Sequence, residues 1–163
     1  MIFLTVGTQF PFDRLVKAVD EVAGQGLFKD EIFAQIGNSV YRPRNFKTVC
    51  LLDKQEYDEI LQRAAGVISH SGMGTIAAAL EHKKPMLVMP RLERFGEVVN
   101  DHQAQIARRF ESEGYLLAAY SVEELPEKIQ VLNSFVPKCR REQADAVAQR
   151  IRRFLDEVSL KVS

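Results

Sequence analysis

The sequence predicts an α/β fold: a doubly wound, mainly parallel, six-stranded Rossmann-like sheet. Three observations predict it. Short apolar runs alternate with amphipathic helical stretches along the chain, the pattern of a parallel sheet covered on both faces. The run Gly66–Ser69 passes through Ser71-Gly72-Met73-Gly74 into Thr75-Ile76-Ala77-Ala78-Ala79-Leu80, which reads as strand, glycine-rich turn and helix start in succession. Polar turns at 7–9, 69–75 and 91–103 follow strands one, four and five, so a parallel sheet collects all three on one edge.

Residues 1–6 read as a buried strand closed by Gly7-Thr8-Gln9. Pro11 and Phe12 lead into a helix whose Leu15, Val16, Val19, Val22 and Ala23 share one face, and Gly24 and Gly26 end it. Residues 32–36 and 48–52 are the second and third strands, joined by a polar loop around Gly37, Asn38 and Pro43. Asp53 is placed to cap a helix with Tyr57, Ile60, Leu61 and Ala64 on its apolar side. After the central strand and turn, a helix runs from 75 to about 82. Residues 86–89 form a fifth strand stopped by Pro90, and the polar segment 91–100 is a surface loop. A helix over 101–113 ends at Gly114, and 115–118 is a sixth strand. Ser121 is expected to cap a helix through 131, with Glu123 and Glu124 in its first turn. Beyond Pro137 a last helix, about 138–160, carries Val147, Ile151, Phe154, Leu155 and Val158 on one stripe.

The 163 residues are expected to form a single domain, 46% hydrophobic and 27% charged. With 22 basic and 22 acidic residues the chain lacks the positive surface that nucleic-acid binding requires, so no nucleic-acid partner is expected. Cys50 and Cys139 lie far apart without metal-ligand spacing and suit a reducing compartment. No apolar run approaches the roughly 20 residues of a membrane span, and the first residues lack the basic segment of a leader. A cytoplasmic location is the expectation. The last helix carries Lys138, Arg140, Arg141, Arg150, Arg152 and Arg153 against Glu142 and Asp145; this basic side suits a solvated face or a partner at an anionic membrane.

The chemistry is expected at the glycine-rich turn. A helix N-terminus turns unpaired N–H groups and its positive dipole end toward an anion, and glycines at 72 and 74 let the backbone come close. The polar Ser69-His70-Ser71 at the end of a buried strand needs partners, which favours a site over a plain turn. Gly7-Thr8-Gln9 supplies a second turn beside it if strands one and four are neighbours. Gly72-Met73-Gly74-Thr75-Ile76-Ala77 also fits the dinucleotide fingerprint, but it follows the fourth strand, not the first, and Glu93 sits beyond Pro90 in a loop. Taken alone, His70 and His102 read as packed or surface histidines. No G-x-S-x-G elbow and no clustered metal ligands occur, so no metal is expected.

Val6-Gly7-Thr8-Gln9, Phe12-Asp13-Arg14-Leu15-Val16, the run from Ile68 through Ile76, Lys84-Pro85-Met86-Leu87-Val88-Met89-Pro90-Arg91 and Asn100-Asp101-His102-Gln103 together resemble glycosyltransferase family 28 C-terminal domains. The likeness is greatest to small catalytic subunits of two-part, UDP-sugar-dependent transferases. Arg91 and Arg94-Phe95-Gly96-Glu97 favour the bacterial capsule and exopolysaccharide branch over the eukaryotic branch that extends dolichol-linked GlcNAc.

The resemblance implies the C-terminal, donor-binding half of a GT-B fold, completed by a membrane-associated acceptor-side subunit that the last helix would dock. It implies inverting, metal-independent transfer from a UDP-sugar to a lipid-linked acceptor at the inner face of the membrane, with no cofactor beyond the donor. By the same resemblance Gly72, Met73, Gly74 and Thr75 would hold the diphosphate, with Gly7, Thr8 and Gln9 facing it and His70 and Ser71 in the same site. Asp101 and Gln103 would meet sugar hydroxyls, Arg91 and Glu97 would shape the loop, and His102 is the candidate catalytic residue unless the partner supplies the base. Relatives often carry Glu, as a ribose contact, where Ala78 stands here; Glu81 lies one turn on. The other class of function left open is a non-catalytic nucleotide-binding or scaffolding subunit that stabilises the membrane partner.

Overall fold

Alternation along each strand divides the core in two. In the computed structural model, which describes residues 1–138, six parallel strands form one sheet. They are β1 (Ile2–Thr5), β2 (Ile32–Gln35), β3 (Lys47–Val49), β4 (Gly66–Ser69), β5 (Met86–Val88) and β6 (Leu117–Ala118), in the spatial order β3-β2-β1-β4-β5-β6. Ile2, Leu4, Val6, Ile68, Leu87 and Met89 face α1 (Asp13–Gly24) and α5 (Leu125–Leu132), packing with Leu15, Val16, Val19, Ile129 and Leu132. Phe3, Val67, Met86 and Val88 point the other way, to Leu61 of α2 (Lys54–Arg63), Ile76 and Ala79 of α3 (Met73–Glu81), and Ala107 of α4 (His102–Ser112). Successive strand residues belong to opposite clusters because the side-chain period is two. Each large side chain so buried contributes roughly 1.5–3 kcal/mol.

Register places the two candidate turns side by side. Thr5, the last residue of β1, pairs with Gln35 of β2 and Ser69 of β4. The chain therefore leaves β1 through Gly7 next to where it leaves β4 through His70, and all strands open onto the same edge. Among the described residues no helix is long and apolar enough to cross a membrane.

Several boundaries differ from the sequence expectation. Helix α3 starts at Met73, two residues earlier than expected, so Gly74 lies inside its first turn. Strand β3 is confined to 47–49; beyond it the Leu52 N–H donates to Gln35 Oε1 at 3.0 Å instead of continuing the ladder. Ser121 caps nothing with its side chain. A 3₁₀ turn, Val122–Glu124, comes first, and α5 begins at Leu125 with Pro126 in its opening turn, where a missing N–H costs nothing. A second 3₁₀ turn, Glu93–Phe95, lies in the 91–100 loop and closes on Gly96. The expected docking helix over 138–160 falls, beyond Lys138, outside the described residues.

Candidate functional site

No side chain caps α3, and the first amide to reach back is that of Ile76, bonding to the Gly72 carbonyl at 3.0 Å. The N–H groups of Met73, Gly74 and Thr75 are thus left without acceptors among the described residues. They are the orphan donors of a helix start, aligned with its positive dipole end. Helix α2 opens onto the same cleft but consumes its own donors: Asp53 accepts from the Glu56 N–H at 2.8 Å, and Glu56 accepts from the Asp53 N–H at 3.1 Å.

The two turns are held apart by one ring. His70 fills the space where Gly7 and Gly72 would carry side chains: a β-carbon on Gly7 would lie 2.8 Å from its Cε1, and one on Gly72 2.1 Å from its Nε2. Gly7 also has φ +76°, which a residue with a side chain rarely adopts. Gly74 differs, because a β-carbon there would meet nothing within 4 Å and would project into open space. The Ser69 hydroxyl donates to the Thr5 carbonyl, so at 3.1 Å it accepts from His70 Nδ1, which fixes the proton on that nitrogen and leaves Nε2 a lone pair. Burial, then the neighbouring Arg91 charge, lowers the His70 pKa to about 4, and the ring is neutral at physiological pH.

Arg91 is the buried cation of the site, 2% exposed. Its Nη2 donates to the carbonyls of Val6 at 2.7 Å and Phe10 at 2.6 Å, stapling the β1–α1 turn to the end of β5, and its guanidinium lies 4.9 Å from the Phe12 ring centre. Burial lowers its pKa to about 10, against the favourable Glu97 charge, and it stays charged at neutral pH. Its own amide donates to Gln103 Oε1 at 3.1 Å, so the Gln103 NH₂ group is the end left for the cleft. Among the described residues two buried side-chain atoms lack partners, Ser71 Oγ and Arg91 Nε, and of the two residues Arg91 lines this cleft.

The cleft measures about 570 Å³. It gathers Gly7, Thr8, Gln9, His70, Gly72, Met73, Gly74, Thr75, Arg91 and Gln103 from the residues expected by sequence. Four others stand apart. Ser71 is buried beneath the turn. Glu97 is taken by Arg14, with both carboxylate oxygens 2.8 Å from the guanidinium, and also accepts from the Leu92 N–H. Asp101 accepts from the Glu93 N–H at 2.8 Å in a separate recess. His102, the candidate catalytic residue, is exposed at the start of α4 and its side chain does not line the cleft. Neither Ala78 nor Glu81 reaches it.

Sequence reasoning missed the wall formed by Gln35, Leu52, Asp53, Lys54, Tyr57 and Val98. Gln35 is 1% exposed and bridges Thr5 Oγ1 to the Leu52 amide, tying three loops together. Burial raises the Tyr57 pKa, against the lowering influence of the Thr75 and Thr5 side chains. A polar Gln in an otherwise apolar β2 was the one signal available.

A family model described as the glycosyltransferase family 28 C-terminal domain matches residues 1–158. The mouse protein UDP-N-acetylglucosamine transferase subunit ALG13 is 34% identical over 125 residues, which are 70% of this chain and 10% of the mouse protein. The chain thus spans about a tenth of that relative's length. Among solved structures, Os79 from O. sativa in complex with UDP superposes with a TM-score of 0.61 at 17% identity, over 91% of this chain and 34% of Os79. The NMR solution structure of ALG13 gives 0.56 at 21% identity, over 83% of this chain and 87% of that one. At such identities the structures speak for the fold alone: an α/β Rossmann-like sheet shared with GT-B glycosyltransferases.

Proposed function

The chain belongs to the glycosyltransferase family 28 C-terminal domains, and from that premise we propose that it is the donor-binding subunit of a UDP-sugar transferase whose acceptor half is another polypeptide. The observation that carries the reading is the trio of free amides at Met73, Gly74 and Thr75 beside a buried Arg91. Charge developing on a departing diphosphate needs preset donors of this kind, and fixed amides provide them without reorganisation or a metal ion. Gln103, with its carbonyl held by Arg91, presents only donors and suits a sugar hydroxyl oxygen.

UDP-GlcNAc is the first donor to try, on the strength of the mouse relative's name. A lipid-linked acceptor and a peripheral place at the inner membrane face belong to the same proposal. The capsule branch expected from Arg91 and Arg94–Glu97 draws no support from that relative; here Arg91 and Glu97 clamp loops. Within the cleft no group is placed as the general base: Asp53 is engaged in capping α2, and a His70 whose conjugate acid titrates near 4 is too weak a base. The partner then supplies the base.

The test is thermal unfolding of the isolated chain with UDP, which raises the midpoint if it binds only the folded state. Gly74→Val, which fills the open space over α3, should abolish the rise; unchanged UDP binding in that variant would count against the cradle. The exposed position of His102 favours one rival, a scaffolding subunit without a catalytic role. Sugar transfer by the co-expressed pair decides it: full activity in both His102→Ala and Gln103→Ala favours the scaffold.

A further inference from the structure

On the far side of the β5–α4 loop from the cleft lies a second recess of about 330 Å³, lined by Leu92, Arg94, Asp101, Gln105, Arg108 and Tyr120, with Ala104 at its base. Residues 101, 104, 105 and 108 follow one another at three- and four-residue steps, so a single stripe of α4 forms one wall while Gln103 faces the cleft. Two arginines converge here. Arg108 lies 5.7 Å from the Tyr120 ring centre and Arg94 4.8 Å from that of Phe95. Tyr120 is itself anchored, its hydroxyl donating to Glu111 at 2.8 Å.

Among the described residues neither arginine has a carboxylate partner, whereas Arg109, beside them on α4, pairs with Glu113, and Arg14 pairs with Glu97. The one carboxylate in the recess, Asp101, is engaged by the Glu93 amide. Stacking on rings orders the guanidinium planes and leaves their N–H edges free. Two like charges pointed into one concavity repel each other until an anion lies between them. A carboxylate is satisfied by one guanidinium fork; a tetrahedral anion with three or more oxygens can use two.

We infer that the Arg94–Arg108 recess is a second anion site, separate from the nucleotide cleft, which takes a phosphate or diphosphate group. The inference does not rest on the donor reading, since its residues and the cleft residues are different sets. The group can arrive as a free anion or as the head of a lipid diphosphate, and Leu92 in the lining suits the first carbons of a lipid chain.

The experiment is calorimetric titration of the Gly74→Val variant, whose side chain projects over the α3 amides, with sodium pyrophosphate and separately with farnesyl diphosphate. Saturable binding should persist in that background. Adding Arg94→Ala and Arg108→Ala should weaken it about tenfold or more, the size expected for losing charge-assisted bonds. Equal affinity for the two probes identifies a free anion, and tighter binding of farnesyl diphosphate a lipid-linked one; both support the site. Absence of binding by both probes, or binding that survives the double arginine change, overturns it. Both side chains are exposed, so the double variant should unfold at the wild-type midpoint. The difference in UDP response between the wild type and Gly74→Val reports on the cleft and can fail or succeed independently.

Discussion

The imidazole of His70 occupies the volume that a β-carbon on Gly72 would need, its Nε2 lying 2.1 Å from that position. Gly72→Ala must therefore move the ring, and through it the Gly7 turn. We expect a loss of about 1–3 kcal/mol in urea unfolding, the range for overpacking, together with loss of the UDP response. Gly74→Ala should do the reverse to stability. Its β-carbon meets nothing within 4 Å and it lies inside α3, so a gain of about 0.5–1 kcal/mol is expected while nucleotide binding weakens. A neutral Gly72→Ala or a destabilising Gly74→Ala would contradict this account of the two turns.

The depressed His70 pKa sets a pH dependence. Between about 4, where the folded protein takes up this proton, and 6.5, where the unfolded chain does, the unfolded state holds more protons. Stability from this group is thus fully present above 6.5 and declines as pH falls through that window. The slope approaches one proton, about 1.4 kcal/mol per pH unit. Urea midpoints measured across the window should show the decline in wild type, and His70→Gln should flatten it.

Arg91 acts on the site through the β1–α1 turn. Arg91→Met removes both bonds to the Val6 and Phe10 carbonyls and should cost about 2–3 kcal/mol. Arg91→Lys keeps the charge but cannot reproduce the planar fork, so it should recover only part of the loss. Hydrogen exchange at residues 7–10 is the discriminating measurement: those amides should exchange faster in both variants.

Glu97 ties the β5–α4 loop to α1. Its carboxylate grips Arg14 of α1 and the Leu92 amide at once, in a pair only 16% and 11% exposed. A double-mutant cycle with Arg14→Ala and Glu97→Ala should give a coupling of about 1–3 kcal/mol, above the value for exposed pairs. UDP affinity should change little, since the amides of α3 are untouched; a large loss would mean that the loop bears directly on the diphosphate.

The topology and the shared edge were legible in the sequence because they follow from period and from βα order, which are local patterns. So were the two glycine turns. The start of α3 differs from the sequence reading because Gly74 has low helix propensity, yet its neighbours fix the helical backbone there. The places of Asp101 and His102 could not be read from motif order, because which face of α4 meets the cleft depends on packing against β5 and β6. Gln35 and Tyr57 were invisible for the same reason: each enters the site through contacts 17 to 30 residues away or through a neighbouring helix.

The parallel connection between β2 and β3 contains no helix, and two consecutive amides near its end find their acceptor in one side chain of α1. Asp20, 3% exposed, accepts from the Arg44 and Asn45 N–H groups, the Asn45 amide and the Tyr41 hydroxyl. Burial alone would raise its pKa; the bonds from Asn45, Tyr41 and Arg44 outweigh that and hold it below the usual 3.8. Three-residue β3 is all that covers the outer side of β2, so this carboxylate is the latch on the sheet's margin. Were it neutralised or replaced by Ala, the unzipped margin would offer open ladder positions to a second molecule, and strand-to-strand self-assembly, more than unfolding, would be the first symptom of its loss.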